Sequence, residues 1–205
     1  MRISYKYDYS GNILIRDEQH NISEGEPLNL RYAYTYDGRG RQLREVVSIN
    51  GKVCADVASA YDELGRLQTK TAGNGLETEH KYNIQGWLSG ITHSIKAPSV
   101  NLQTGDTLWI RNIIFTEQLN YFKPQAAKPL YSGNIAEISW NRGHDVMGDN
   151  TYAYSYDMLG RLTDAELYKR EPSENFPGFS LLGDNTFTER RMEYDLNGNM
   201  RSFER

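Results

Sequence analysis

The chain has 205 residues, with 23 Lys and Arg against 27 Asp and Glu, a net charge of -4, 38% hydrophobic residues and one cysteine. This balance gives no general attraction to nucleic-acid phosphates or anionic lipid, and a lone cysteine excludes an intrachain disulfide and a cysteine-based structural zinc site. No stretch approaches the roughly 18 consecutive apolar residues that cross a bilayer, so membrane insertion is not expected, and the first residues lack the apolar core and cleavage site of a secretory signal.

Tyrosine is unusually common, with 15 copies, and a Tyr ring can bury its body while its hydroxyl reaches a partner. In chain order, Tyr5 and Tyr7 alternate into Tyr7-Asp8-Tyr9-Ser10-Gly11-Asn12. Tyr32, Tyr34 and Tyr36 alternate with Ala33 and Thr35 and run into Tyr36-Asp37-Gly38-Arg39-Gly40-Arg41; Leu43, Val46, Val47 and Ile49 lead away. Two further copies are Tyr61-Asp62-Glu63-Leu64-Gly65-Arg66-Leu67 and the looser Tyr82-Asn83-Ile84-Gln85-Gly86-Trp87-Leu88.

The repeat then lapses over residues 93–130, where Pro98, Pro124 and Pro129 surround a strand-like run at 107–116. Residues 117–122 are the best candidate for a single helical turn, stopped before Pro124. The pattern returns at Tyr131-Ser132-Gly133-Asn134-Ile135, where Ile135, Glu137 and Ser139 alternate with Ala136, Ile138 and Trp140. Tyr152, Tyr154 and Tyr156 alternate into Tyr156-Asp157-Met158-Leu159-Gly160-Arg161-Leu162, followed by Ala165 and Leu167. Residues 171–185, with Pro172, Pro177, Gly178 and Gly183, read as a surface loop. Met192 and Tyr194 enter the last copy, Tyr194-Asp195-Leu196-Asn197-Gly198-Asn199-Met200.

Six units therefore keep Tyr and Gly at fixed offsets, while their tyrosines stand 29, 25, 21, 74 and 38 residues apart. A fixed unit with variable returns is a repeat with unequal loops. Its chemistry is that of a hairpin. Asp accepts bonds from backbone N–H groups two residues on, two variable residues make a type I turn, and Gly supplies the positive φ of the bulge that closes it. Alternating tyrosines on the approach imply one tyrosine-lined face. The expected fold is all-β, made of antiparallel hairpins in a continuous sheet. It divides into four repeat units over 1–92, an irregular insertion with one or two strands over 93–130, and two units plus the Tyr131 strand over 131–205.

The Tyr-Asp-x-x-Gly-Arg-Leu units resemble the YD repeats of the RHS and teneurin proteins. The run from Phe115 to Tyr121, then Tyr131 to Trp140, then Tyr154 to Asp157, is similar to a subgroup of large bacterial secreted or cell-surface RHS-repeat proteins. The resemblance implies a curved or spiralling sheet that forms part of a hollow β-shell, lined by repeat tyrosines and in several members enclosing a toxic C-terminal domain. Partners would then be the remaining repeats and that domain, with self-association possible through open sheet edges. The chain begins inside one unit and stops soon after another, as expected of a piece of a longer array. The family's core ends in an aspartyl self-cleavage motif containing Asp-Pro, and this sequence has no such pair.

The repeat tyrosines have two readings. They stack on sugars, as carbohydrate binding suggested for the family would require, or they pack and line the sheet; packing is preferred because fixed hairpin positions favour aromatic residues anyway. Asp37, Asp62, Asp157 and Asp195 serve the turn better than catalysis or calcium, since calcium loops need several acids close together. Arg41, Arg66 and Arg161 pair with acids of neighbouring hairpins or are simply solvated. His144-Asp145 is the one local pair suggesting a base with an orienting carboxylate, but no nucleophile motif accompanies it. His20, His80 and His93 lack metal-ligand spacing. Cys54 reads as a small buried residue on a strand. Neither Gly38-Arg39-Gly40 nor Gly73-Asn74-Gly75 continues as a phosphate loop. The sequence thus implies no enzyme, cofactor or metal, and a structural role.

Overall fold

The computed structural model describes residues 1–21, 25–100, 103, 107–143, 150–171, 178–181 and 187–205. Its strands are β1 (Arg2–Tyr7), β2 (Ile13–His20), β3 (Leu28–Tyr36), β4 (Gln42–Ile49), β5 (Lys52–Tyr61), β6 (Leu67–Ala72), β7 (Leu76–Tyr82), β8 (Leu88–Val100), β9 (Thr107–Asn120), β10 (Glu137–Arg142), β11 (Asn150–Tyr156), β12 (Leu162–Glu171), β13 (Gly178–Leu181), β14 (Arg190–Tyr194) and β15 (Met200–Glu204). No described residue is helical. The fold is all-β. Hydrogen-bond order follows chain order from β1 to β13, and β14 pairs with β15. From β1 to β13 each strand therefore neighbours the next in one meander, which is the least demanding way to join antiparallel strands, whereas β13 and β14 lie in different sheets.

Met1–Glu79 and Ser94–Arg111 pack as one compact body, and His80–His93 and Asn112–Arg205 as another. In a meander, alternate connections fall at the same end of the strands. Within the first body the Tyr7, Tyr36 and Tyr61 turns therefore share one end, and within the second the connections after Tyr82 and Tyr156 do the same.

In the first body, Tyr5, Arg16, Tyr32 and Val47 stand opposite one another across β1 to β4, which places them on one face. The Arg16 guanidinium lies 4.9 Å from the Tyr32 ring centroid. Beside it the buried Glu18 is bonded by His20 and Arg16, which hold its carboxyl below the ordinary range. Ser4, Asp17, Arg31 and Ser48 share the opposite face, where Arg31 Nε donates to Asp17 Oδ1 at 2.7 Å. One face is aromatic and the other polar.

β4 and β5 are joined by Asn50 and Gly51, at φ 47° and 82°, with Ile49 opposite Lys52. Positive φ at both residues is the two-residue turn that matches strand twist, and the Asn-Gly pair was its available signal. Cys54 corrects the sequence reading: it is exposed. Val47 faces Ala55 and Ser48 faces Val53, so Cys54 is the extra residue of a bulge, with its thiol donating to the Val47 carbonyl.

Among the described residues, the buried apolar set is Leu119, Tyr121, Ala136, Ala153, Ala165, Leu167 and Met192, all in the second body. Here β14 lies along β12, with Ala165 and Glu189 exchanging both backbone bonds at 2.7 and 2.9 Å. Residues 117–120, expected in a helical turn, instead continue β9 against β10, with Glu117 opposite Trp140. Ladder bonding to β10 overrides the weak local signal. The surface loop expected at 171–185 likewise contains β13, whose Ser180 faces Lys169. The stretch 93–130 holds the end of β8 and all of β9.

Candidate functional site: the repeat turns

Each Tyr-Asp-type turn is closed by the same bonds. In the second copy Gly40 N–H donates to the Asp37 carbonyl at 3.0 Å, and Asp37 N–H donates to the Arg41 carbonyl at 2.9 Å. The Asp37 carboxylate is fully engaged. Oδ1 accepts from the N–H groups of Arg39 and Arg41, both at 2.9 Å, and Oδ2 accepts from Arg41 Nε at 2.7 Å. Asp62 with Arg66, and Asp157 with Arg161, repeat this arrangement. At Asp8 and Asp195 the amides of Asn12 and Asn199 take the guanidinium's place. Asn83 Oδ1 still accepts from Gln85 and Trp87 N–H in the Tyr82 copy.

These bonds set the electrostatics. Asp37 and Asp157 are held below the ordinary aspartate range, first by the N–H of Arg41 and Arg161 and then, against opposing burial, by the two guanidinium groups. The arginines therefore pair inside their own turns, correcting the expectation of pairs with neighbouring hairpins or plain solvation. Gly65 stands at φ +84°, and Gly11, Gly40, Gly86, Gly160 and Gly198 share that sign. A side chain there would be strained and, at position 65, would meet Arg41 Nη1 at 3.0 Å.

That last contact belongs to a second layer, which ties each turn to the next. The Tyr36 hydroxyl donates to the Ile13 carbonyl at 2.9 Å, Tyr61 to Gln42 at 2.8 Å, and Tyr194 to Leu162 at 2.6 Å. In every case the acceptor lies six residues after the preceding repeat tyrosine. In two of the three, an arginine just before that acceptor stacks on the arriving ring: Arg41 is 4.6 Å from the Tyr61 centroid and Arg161 is 4.8 Å from that of Tyr194, while Asn12 holds that position before Ile13. Such contacts contribute about 0.5–1 kcal/mol at exposed sites. Tyr36, Tyr61 and Tyr194 thus clasp the preceding hairpin, while Tyr7 stands first and exposed. The clasp was not legible in advance, because its acceptors are backbone carbonyls.

The approach tyrosines do share a face. Tyr152 stacks on Trp140 at 5.5 Å and on Tyr154 at 6.2 Å. Burial pushes the Tyr154 hydroxyl up to about 12. Outward at the turn tips stand Tyr9, Leu64, Ile84, Met158 and Leu196, all exposed.

Among the described residues, little else resembles a site. His144 and Asp145 lie outside the described residues. His20 bonds Glu18, and His93 lies 6.0 Å from the Phe115 ring. No group of three His, Cys, Asp or Glu side chains is placed to hold a metal among the described residues. A groove of about 860 Å³ in the first body is lined by Arg2, Asp17, Glu18, Glu26 and Arg31 among others. Its Arg31 and Asp17 neutralise each other.

No family model matches the chain. It is similar to the probable deoxyribonuclease RhsA of Dickeya dadantii (strain 3937), with 25% identity covering 71% of this chain and 12% of that protein. The chain thus spans 12% of the length of that relative. Among solved structures, that of TcdB2-TccC3 gives a TM-score of 0.48 at 15% identity, covering 96% of this chain and 11% of the other. A porin-like protein from Bacteroides uniformis ATCC 8492 gives 0.26 at 11% identity, covering 81% and 92%.

Proposed function

We propose that this chain, an RHS/YD-repeat segment by its six Tyr-Asp-type units and its RHS relative, forms part of a wall that encloses or displays a C-terminal cargo domain of a secreted or cell-surface protein. The observation that carries the reading is the clasp. Around Tyr61 the Tyr hydroxyl, the Asp62 carboxylate and the Arg41 guanidinium are consumed in holding turns and joining one to the next, which is how a wall uses reactive side chains. The deoxyribonuclease activity named for the relative would then belong to a domain other than these repeats. The partners are further repeats and that domain. β1 stands at the edge of its sheet, paired only with β2 among the described residues, so its outer edge is available for pairing with a preceding strand or, in an excised piece, with a second copy.

Protease protection tests this reading in the full-length protein. A domain following the repeats should resist digestion, and Tyr61→Ala with Tyr194→Ala should expose it. Equal digestion of that domain with the wall intact and with it breached would refute enclosure.

A second reading, a carbohydrate- or partner-binding surface, draws on the stacked rings of Trp140, Tyr152 and Tyr154. Saturable binding on a glycan array that is lost in Tyr152→Ala, with the fold retained, would favour it over the wall.

A further inference from the structure

We infer that the connection between β9 and β10 is a seventh repeat unit, whose turn has been opened to carry an inserted loop. Tyr121 is its repeat tyrosine and Gly133-Asn134-Ile135 its closing half. The assignment rests on the clasp geometry above and is independent of what the wall encloses.

Four observations converge. The connection lies where a Tyr-Asp turn belongs, at the end of the strands shared by the other repeat turns of the second body. Register agrees. In the regular hairpins the residue before the tyrosine faces the second residue after the closing hydrophobic position: Ala60 faces Thr69 and Ser155 faces Asp164. Asn120 faces Glu137, which is the second residue after Ile135. Both halves of the clasp are also made. The Tyr121 hydroxyl donates to the Leu88 carbonyl at 2.9 Å, six residues after Tyr82, and the Tyr156 hydroxyl donates to the Ile135 carbonyl at 2.8 Å. Finally, at each step the residue just before the acceptor reaches the next unit. Trp87 occupies the arginine position and lies 5.0 Å from the Tyr121 ring, while Asn134 sits against Gly160 as Arg41 does against Gly65.

The apparent gap of 74 residues between Tyr82 and Tyr156 thereby becomes steps of 39 and 35. What the opened turn lacks is the Asp that loads the N–H groups of a regular turn. Glu137 fills that role as a positioning residue. Its buried carboxylate accepts from Gln125 N–H at 2.7 Å and Ala126 N–H at 2.6 Å through Oε2, and from Asn120 Nδ2 at 2.9 Å through Oε1. Tyr131, which the sequence offered as the returning tyrosine, is exposed and stacks on Phe122 within the loop. A repeat turn is thus a place where the array accepts an insertion without losing the clasp.

The decisive variant replaces residues 122–132 with Asp-Glu-Leu, copied from Asp62-Glu63-Leu64. It creates a regular unit from Tyr121 to Ile135 and returns Glu137 to water. The shortened chain should fold with an unchanged strand signal. Tyr121→Phe should raise the unfolding equilibrium constant about fivefold, as Tyr61→Phe should, since each removes one hydrogen bond. Tyr131→Phe should have no effect. In Glu137→Ala the Gln125 and Ala126 amides should exchange at least tenfold faster with solvent deuterium, with rescue toward the parent rate in Glu137→Gln. An unfolded shortened chain together with a neutral Tyr121→Phe would overturn the assignment. Unchanged exchange at both amides in Glu137→Ala would remove Glu137 from its role.

Discussion

The Tyr61 hydroxyl reaches the Gln42 carbonyl at 2.8 Å across 19 residues of sequence, while Arg41, Gln42's neighbour, lies over the Tyr61 ring. Two adjacent residues of one hairpin thereby hold a single tyrosine of the next. The bond and the stack act together, so Tyr61 is neither free to bind a ligand by its hydroxyl nor replaceable by another aromatic without loss.

Tyr61→Phe should therefore destabilise the chain by about 1 kcal/mol, the net value of one hydrogen bond. Tyr61→Ala should cost about 3 kcal/mol, because burial of the ring and the stack go with it. Urea denaturation followed by circular dichroism measures both. Tyr9→Phe is the control, since Tyr9 is fully exposed at a turn tip, and should leave the midpoint unchanged.

Gly65→Ala should cost about 1–2 kcal/mol, the usual penalty for an L side chain in the left-handed region. The new Cβ would also displace Arg41 Nη1, 3.0 Å from its position, and loosen the stack on Tyr61. Gly38→Ala, one hairpin earlier, meets no atom within 4 Å and lacks a positive φ. It should be neutral in the same denaturation experiment.

Acid should weaken the array through its turn aspartates. Asp37 and Asp157 have folded pKa values depressed below 3.8, so their contribution is complete above about that pH and is lost as pH falls through the depressed values. Thermal melts from pH 6 to pH 2 should show this loss. Asp157→Asn keeps an Oδ1 acceptor, as Asn83 does naturally, and should flatten the acid dependence while losing the Arg161 ion pair.

Alkali acts on the tyrosines with the opposite sign. Burial raises Tyr154 to about 12, above its ordinary 10.0. A raised folded value contributes stability that is complete below pH 10 and is lost as pH rises through the folded value. Absorbance titration of tyrosinate should show a late-ionising class, reduced by one residue in Tyr154→Phe. Its absence would contradict the burial of that ring.

The sequence made the turns legible because Asp, Gly and Tyr each answer a local requirement: an acceptor for turn N–H groups, a positive φ, and a ring on a pleated face. Asn83 was readable for the same reason, as an amide that retains the acceptor oxygen. What joins one turn to the next was not legible, since the acceptors for Tyr36, Tyr61 and Tyr194 are backbone carbonyls of Ile13, Gln42 and Leu162. Any side chain at those positions would offer the same oxygen. Cys54 was misread because a bulge shifts alternation by one residue. Residues 117–120 were misread because ladder pairing to β10 outweighs local preference. Tyr121 was passed over in favour of Tyr131 because an eleven-residue loop, 122–132, separates it from its glycine.

Whether one turn holds the next is decided by a double-mutant cycle between Arg41 and Tyr61. Arg41→Ala, Tyr61→Ala and the double variant are unfolded in urea, with Arg41 and Tyr36, which belong to the same turn but do not stack, as the reference cycle. Turn-to-turn clasping predicts a coupling of about 0.5–1 kcal/mol for Arg41 with Tyr61, the range of a solvent-accessible cation–π pair, and a smaller one for the reference. Additive losses in the Arg41 and Tyr61 cycle would mean that neighbouring hairpins stand side by side without holding each other, and the clasp would not be what joins the repeats.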